Sequence, residues 1–293
     1  MSLNLSFRSK ILLSISGLAV LGFTASIGYA TWANQNYVLK EGGEAAVIHA
    51  KLLTRNISSA LFGGRDLASS MAELLATLSQ ASVKDRDLIN KILKDQLQAR
   101  PNTLALWTAW EPNALDGRDA EFVNRKPDHD ATGRYIPYWV RSGDKIIVEP
   151  LVDYDKPGAG DYYLLTKKNN ALTFLEPYLY PVDGKTVLLT SIVQPIPNKT
   201  GSQFLGVAGI DVSLDAFSEA MRKEKPYGTG VLSLVSNQGN WLVHPEKDKV
   251  TKSANDLPAE ALAAIKAGQS YQFTDQDDVM HFFEPISIDK TME

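Results

Sequence analysis

The sequence predicts an α+β protein: an N-terminal transmembrane helix, a long amphipathic helix, and then two tandem units that each carry an antiparallel sheet. Three observations predict it. Between Lys10 and Lys40 no Lys, Arg, Asp or Glu occurs. From Gln35 to Ser82 apolar residues recur three or four apart, the period of a helix with one buried face. Beyond Pro101 that period gives way to short apolar runs separated by Gly, Pro, Asn and Asp, the pattern of strands and turns.

The apolar run Ile11 to Trp32 would extend about 33 Å as a helix, enough to cross a bilayer. Arg8 and Lys10 precede it, so the positive-inside rule puts residues 1–10 in the cytoplasm and everything after Trp32 outside. Tyr29 and Trp32 mark the outer interface. A cleaved signal peptide is the competing reading, but its apolar region would be about 7 to 15 residues. The amphipathic stripe that follows runs through Val47, Leu52, Ile57, Leu61, Leu67, Met71, Leu75 and Leu78. Gly42-Gly43 and Gly63-Gly64 are its weak points, at about 1 kcal/mol per glycine relative to alanine. A second helix is expected from Val83 to Arg100, completing a helical region over 33–100.

Strands are expected at Thr103 to Trp110, Tyr135 to Val140, Ile146 to Leu151, Thr186 to Pro195 and Phe204 to Val212, giving a first unit over 101–215. Residues 216–227, with Arg222, Lys223, Glu224 and Lys225, form a connector. A smaller second unit over 228–293 opens with a hairpin across Asn237-Gln238-Gly239, followed by a helix from Pro258 to Ala267 and two strands between Ser270 and Ile286.

Composition narrows the chemistry. Lys and Arg number 30 against 34 Asp and Glu, a net charge of −4, which leaves no cationic field for nucleic acid. There is no cysteine, so disulfides, thiolate nucleophiles and thiolate metal sites are excluded, and only four histidines are present. Asp128-His129-Asp130 reads as a solvated loop rather than a metal site, because adjacent residues cannot all face one ion. His244 and His281 read as strand-end or core histidines. No Gly-x-Ser-x-Gly, His-Glu-x-x-His or P-loop pattern occurs, so no cofactor, metal or catalytic group is assigned. Asn56-Ile57-Ser58 and Asn198-Lys199-Thr200 are chance matches to the glycosylation triplet.

Two local motifs fit this layout. Gly206-Val207-Ala208-Gly209-Ile210-Asp211-Val212-Ser213 resembles the closing strand of a first Cache unit, and Leu234-Val235-Ser236-Asn237-Gln238-Gly239 through His244-Pro245 resembles the first hairpin of a second. With the anchor and long helix, the chain resembles the double Cache sensor region of bacterial methyl-accepting chemotaxis proteins. The resemblance implies two PAS-like units, a location in the bacterial inner membrane with the sensor in the periplasm, and ligand recognition without catalysis. It also implies a second membrane helix soon after Glu293, with a periplasmic binding protein as an alternative partner. Because the apolar stripe over 35–82 is longer than one domain's core requires, a homodimer through the long helix is expected.

By the same resemblance the ligand sits in the membrane-distal unit, against the stretch from Gly133 to Tyr180. In Trp107-Thr-Ala-Trp110 the indoles are three apart and face opposite sides of a strand, so only one lines the pocket. The candidate contacts are Trp110, Tyr135, Tyr138, Trp139, Tyr162, Tyr178 and Tyr180, with Asp153, Asp155, Asp161 and Asp183 as carboxylates. The amino-acid-binding branch carries an Arg-x-Trp-Tyr signature and a later Pro-Tyr-x-Asp. Here Ile136 stands at the arginine position and Tyr180 at the aspartate position. Arg134, two residues earlier, is the candidate replacement. The expected ligand is therefore an amine, polyamine or quaternary ammonium held by ring faces and a carboxylate. A stacked purine or an amino acid is the alternative. For the aspartates the competing reading is turn chemistry. Two rivals come from other classes: a membrane-anchored glycosidase, with Asp153 and Asp155 on one side of a strand, and a stalk that binds nothing.

Overall fold

The computed structural model describes residues 6–81, 83, 85–198 and 201–286. Met1–Leu5, and the 287–293 stretch expected to lead to a second membrane helix, lie outside the described residues, as do Ser82, Lys84, Lys199 and Thr200. The chain divides into two compact units, one of the first helix up to Leu53 with Gln272–Glu284, the other centred on Thr54–Tyr271.

The first helix, α1 (Phe7–Gln80), takes in both the apolar run and the amphipathic stripe without a break. Among the described residues it is the one helix long and apolar enough to cross a membrane, and its most apolar stretch is wholly exposed. The paired glycines do not interrupt it. Gly43 faces the Phe282 ring, which a Cβ there would approach to 3.3 Å. Gly64 meets the sheet: a Cβ there would fall 2.6 Å from Ile210 Cδ1 and 2.7 Å from Ile192 Cδ1. That glycine is the close-approach point of helix on sheet.

Next comes α2 (Arg86–Gln98), shorter than the expected 83–100 because Asp85 caps it, accepting from the Asp87 and Leu88 amides at 3.0 and 3.1 Å. The sheet is built from β1 (Ala105–Trp110), β2 (Pro137–Ser142), β3 (Lys145–Pro150), β4 (Thr173–Phe174), β5 (Tyr178–Val182), β6 (Lys185–Pro195) and β7 (Gly206–Ser213). Its order is β3-β2-β1-β7-β6-β4, with β5 also paired to β6, and the pairing is antiparallel throughout.

Because side chains alternate along a strand, this sheet separates two cores. On one face Leu106, Trp110, Ile192 and Ile210 pack under Leu67, Met71 and Leu75 of α1 and Ile89, Leu93 and Leu97 of α2. On the other face Trp107, Tyr138, Leu189 and Val193 pack with Tyr162, Tyr163, Tyr178 and Tyr180. Both faces are covered, so β1 is buried at every residue. The second face is closed by α3 (Asp161–Asn169), which the turn-rich run before it hid from the sequence pattern. After α4 (Leu214–Lys223), the chain forms two separate antiparallel ladders, β8 (Leu234–Val235) with β9 (Trp241–Val243) and β10 (Tyr271–Thr274) with β11 (Met280–Phe283), on either side of α5 (Ala259–Lys266).

The helix face also holds a closed charge cluster. Arg86 donates to Asp116 at 2.7 and 2.9 Å, to Asp119 at 2.7 Å and to the Gly133 carbonyl at 3.0 Å, and its guanidinium lies 4.0 Å over the Phe122 ring. Burial would raise the Asp116 carboxyl, but the hydrogen bonds from Arg86 outweigh it and hold that group below its ordinary value. The cluster ties the start of α2 to the long β1–β2 connection. Replacing Arg86 with Ala leaves two buried carboxylates unpaired, at an expected cost of about 3–5 kcal/mol in urea unfolding. Lys91→Ala, which breaks only the exposed pair with Asp95, costs under about 0.5 kcal/mol in the same assay.

Candidate ligand-binding site

The antiparallel register assembles the site. Trp107 of β1 stands opposite Tyr138 of β2 and Gly209 of β7, and Ser191 of β6 stands opposite Asp211 of β7. Asp211 is 1% exposed in the middle of the sheet. It accepts from Trp107 Nε1 at 2.9 Å and from Ser191 Oγ at 2.6 Å, and Ser191 Oγ lies 2.7 Å from Tyr178 Oη. Among the described residues no Lys, Arg or His pairs with this carboxylate. Burial pushes it up from 3.8 to about 6, against the lowering effect of its hydrogen-bond donors.

Rings surround it. Trp107 and Tyr162 meet edge-on with centroids 5.4 Å apart, Tyr162 and Tyr180 likewise at 5.7 Å, Tyr138 and Tyr180 pack at 5.2 Å, and Tyr162 and Tyr178 stack at 6.3 Å. Burial raises the Tyr138 and Tyr178 phenols well above 10, so both stay neutral. Tyr138 Oη lies in the field of Asp211 yet makes no hydrogen bond of good geometry.

A groove of about 390 Å³ opens beside this box, lined by Tyr138, Tyr180, Val148, Glu149, Val152 and Asp183 among others. Tyr138 and Tyr180 belong to both groove and box. Val152 joins them to the loop that leads into α3: its amide donates to Tyr180 Oη at 3.1 Å and its carbonyl accepts from Tyr162 Oη at 2.5 Å. Two of the tyrosine hydroxyls in the box therefore hold that loop.

Of the residues singled out from sequence, Tyr138, Tyr162, Tyr178 and Tyr180 converge here. Trp110, Tyr135 and Trp139 lie on the opposite, helix-packed face, which corrects the expectation that they share one pocket with the others. Tyr135 Oη donates to the Arg86 carbonyl at 3.1 Å and Trp139 Nε1 to Asn90 Oδ1 at 2.9 Å. The indoles of β1 do face opposite sides, but Trp107 is the one on the box face. Asp153 and Asp155 do not share one side of a strand. Asp153 has φ of +57° in a turn and pairs with Lys156 at 2.6 Å, and Asp155 is exposed beside it. Asp161 begins α3 and accepts from the Gly158 amide at 2.9 Å, and Asp183, with φ of +48°, accepts from Ser142 Oγ at 2.6 Å in the β5–β6 turn. Local turn chemistry accounts for Asp153 and Asp161, whereas Asp155 is exposed and Asp183 is held by Ser142 of β2 at the edge of the groove.

Arg134 is buried and already engaged: it donates to the Trp110 carbonyl and to Tyr163 Oη, and lies 4.6 and 4.8 Å over the rings of Tyr154 and Tyr163. His129 is also buried, stacked on Phe122 and held by the Arg125 carbonyl and Asp128, which corrects the reading of 128–130 as a solvated loop. Among the described residues no group of three His, Asp or Glu is placed to hold a metal ion. Asp211 and Trp107 were not singled out. The available signal was an aspartate inside an otherwise apolar strand, Gly206–Ser213, a position where a charge is rarely left without a purpose.

Asp211 makes stability depend on pH in a defined direction. Between about pH 4 and 6 the folded chain keeps a proton that the unfolded chain has released, so this group's contribution to stability declines as pH rises through that window and is level above it. Asp211→Asn removes this dependence. The variant is expected to gain up to about 3 kcal/mol over the wild type at pH 7–8 and little at pH 4, read from thermal unfolding of both proteins without ligand.

Methyl-accepting chemotaxis protein-like first PDC sensor domains match residues 89–219. The methyl-accepting chemotaxis protein TlpQ of Pseudomonas aeruginosa is 27% identical over 222 residues, 69% of this chain and 31% of that protein. The chain spans about a third of the length of the curated relatives it matches. Among solved structures, the extracellular domain of mmHK1S-Z3, a protein assigned to the histidine kinases, is 32% identical with a TM-score of 0.73, covering 84% of this chain and 90% of that one. The ligand-binding domain of the Pseudomonas aeruginosa amino acid chemoreceptor PctB, in complex with L-Gln, shares the fold at 20% identity and a TM-score of 0.52, covering 83% of this chain and 84% of that one. The chain belongs with the extracellular sensor domains of which mmHK1S-Z3 is one, and its residues 89–219 match the methyl-accepting chemotaxis protein-like first PDC sensor domain.

Proposed function

We propose that the 101–215 unit recognises a small organic cation, an amine, polyamine or quaternary ammonium, as the sensor of a membrane-anchored chemoreceptor. One observation carries the reading: a fully buried carboxylate has no cationic partner among the described residues and is boxed by four tyrosines and a tryptophan. A protein site built this way leaves a charge to be balanced from outside. Ring faces add about 0.5–2 kcal/mol each for a desolvated cation. An amino acid would bring a suitable ammonium group, as the L-Gln bound by PctB does, but it also needs a partner for its carboxylate. The nearest candidate by sequence, Arg134, is already held by Tyr163 and the Trp110 carbonyl.

In this reading, residues 1–10 are cytoplasmic, 11–32 span the bacterial inner membrane, and the sensor lies in the periplasm. Residues 216–227 connect to a membrane-proximal unit over 228–293, and the chain pairs with a second copy through the long helix. Below about pH 6 the ligand competes with the proton that Asp211 otherwise carries. Contact with Tyr162 or Tyr180 then competes with the two hydrogen bonds that hold Val152. The signal can be no larger than the ligand's difference in affinity for the two loop arrangements.

The test is a thermal-shift screen of the full chain in detergent micelles against methylammonium, putrescine, choline, purines and amino acids. A cation at a hundred times its dissociation constant stabilises the fold by about 2.7 kcal/mol. Asp211→Asn abolishes that shift, whereas Asp155→Ala leaves it within error of wild type. Affinity is level above about pH 7 and weakens about tenfold per unit well below pH 6, as protons compete for the carboxylate. Stabilisation by purines alone, or by cations equally in the Asp211→Asn chain, overturns the reading.

A further inference from the structure

Gly209 sits in the middle of β7, two residues before Asp211 and directly opposite Trp107 of β1 and Val193 of β6. Its φ is not in the left-handed region, so backbone conformation does not demand glycine here. Space does. A Cβ on Gly209 would fall 2.2 Å from Cε2 and Cζ2 of the Trp107 indole and 2.6 Å from Cη2, where ordinary carbon contacts are about 3.5–4.0 Å. The indole lies flat across the bare backbone of β7, and from there its Nε1 reaches Asp211 Oδ1 at 2.9 Å. Trp107 is 1% exposed, with the Tyr162 edge on its other side, so the ring has no free route away from β7. Glycine in a strand interior weakens the strand, and it is retained where another group must come close.

We infer that Gly209 is a positioning residue for recognition at Asp211: its missing side chain lets the Trp107 indole lie against β7, which keeps the indole N–H on the carboxylate. The inference rests on the reading of Asp211 as the cation's anchor. Any side chain at 209 forces the indole off β7 by about 1 Å or more, against the packing around it. The indole N–H then leaves Asp211, and the carboxylate loses one of its two donors. The groups facing Asp211 are Trp107 from β1, Tyr138 from β2, Tyr178 and Tyr180 from β5, Ser191 from β6 and Tyr162 from α3. None carries a charge near neutrality.

The experiment uses the full chain in micelles with ¹⁵N-labelled indoles, of which there are five. Trp107→Phe identifies the Trp107 resonance. In the wild type that resonance titrates with a midpoint near pH 6. In Gly209→Ala the midpoint rises by about one unit or more, as the ionised carboxylate loses a donor. The affinity for methylammonium at about pH 6, from thermal shifts, falls with that rise, as protons compete for the carboxylate. An unmoved midpoint together with an unchanged methylammonium affinity overturns the inference. If Gly209→Ala does not fold, the Gly209→Ala/Trp107→Phe pair decides: the smaller ring restores folding if the glycine accommodates the indole, and failure to restore it refutes that role. The titration needs no ligand, so a wild type that no cation stabilises defeats the cation reading and, with it, any part for Gly209 in recognition. The titration then still reports whether Gly209 positions Trp107 on Asp211.

Discussion

The sensor unit is arranged around a carboxylate buried in the middle of a seven-stranded sheet without a cation beside it. Taking such a group out of water is costly, and the protein offsets the cost only in part, with one indole N–H and one hydroxyl. The opposite face of the same sheet shows the alternative. There Arg86 carries a full set of acceptors, two carboxylates, a carbonyl and a ring face, and its cluster needs nothing from outside. One buried charge is closed and holds the fold together, whereas the other is left open. In the proposed reading that contrast separates a structural charge from one suited to recognition.

The two faces are also mechanically joined. Tyr138 and Trp139 are neighbours on β2, and alternation sends the first into the box and the second onto α2, where it bonds Asn90. Ile210, between Gly209 and Asp211, points the other way and meets Gly64 of α1. A ligand that shifts β2 or β7 by a fraction of an ångström therefore moves contacts on the helix face directly. Packed interfaces of this kind do not deform smoothly, so a small shift favours one packing over another.

Much of the framework was legible in the sequence because it depends on period and punctuation. The long apolar and amphipathic helix and the strands at 105–110, 137–142, 145–150, 185–195 and 206–213 follow from runs that local chemistry alone defines. The site was legible only in part, for reasons of parity and distance. Both faces of β1 are buried, so composition cannot decide which indole of Trp107-Thr-Ala-Trp110 faces the box. The decision lies in which face the helices cover. The aspartates that draw attention in the 151–161 loop are conspicuous because turns favour them, and their hydrogen bonds stay local. Asp211 shows in the sequence as a lone charge among Val, Ala, Gly and Ile, but what it bonds does not, because its partners lie 20 and 104 residues away along the chain.

The same distances explain why recognition can be separated from stability here. Trp107, Ser191 and Asp211 come from three adjacent strands, so the box is as rigid as the sheet itself. The tyrosines that close it come from β2, β5 and α3, and two of them share their hydroxyls with the backbone of Val152. In the proposed reading a rigid floor with a hydrogen-bonded, exchangeable wall suits a sensor, since the floor would supply affinity and the wall the second arrangement. Were the wall as fixed as the floor, a ligand could bind tightly and still favour neither state, and tight binding alone transmits nothing.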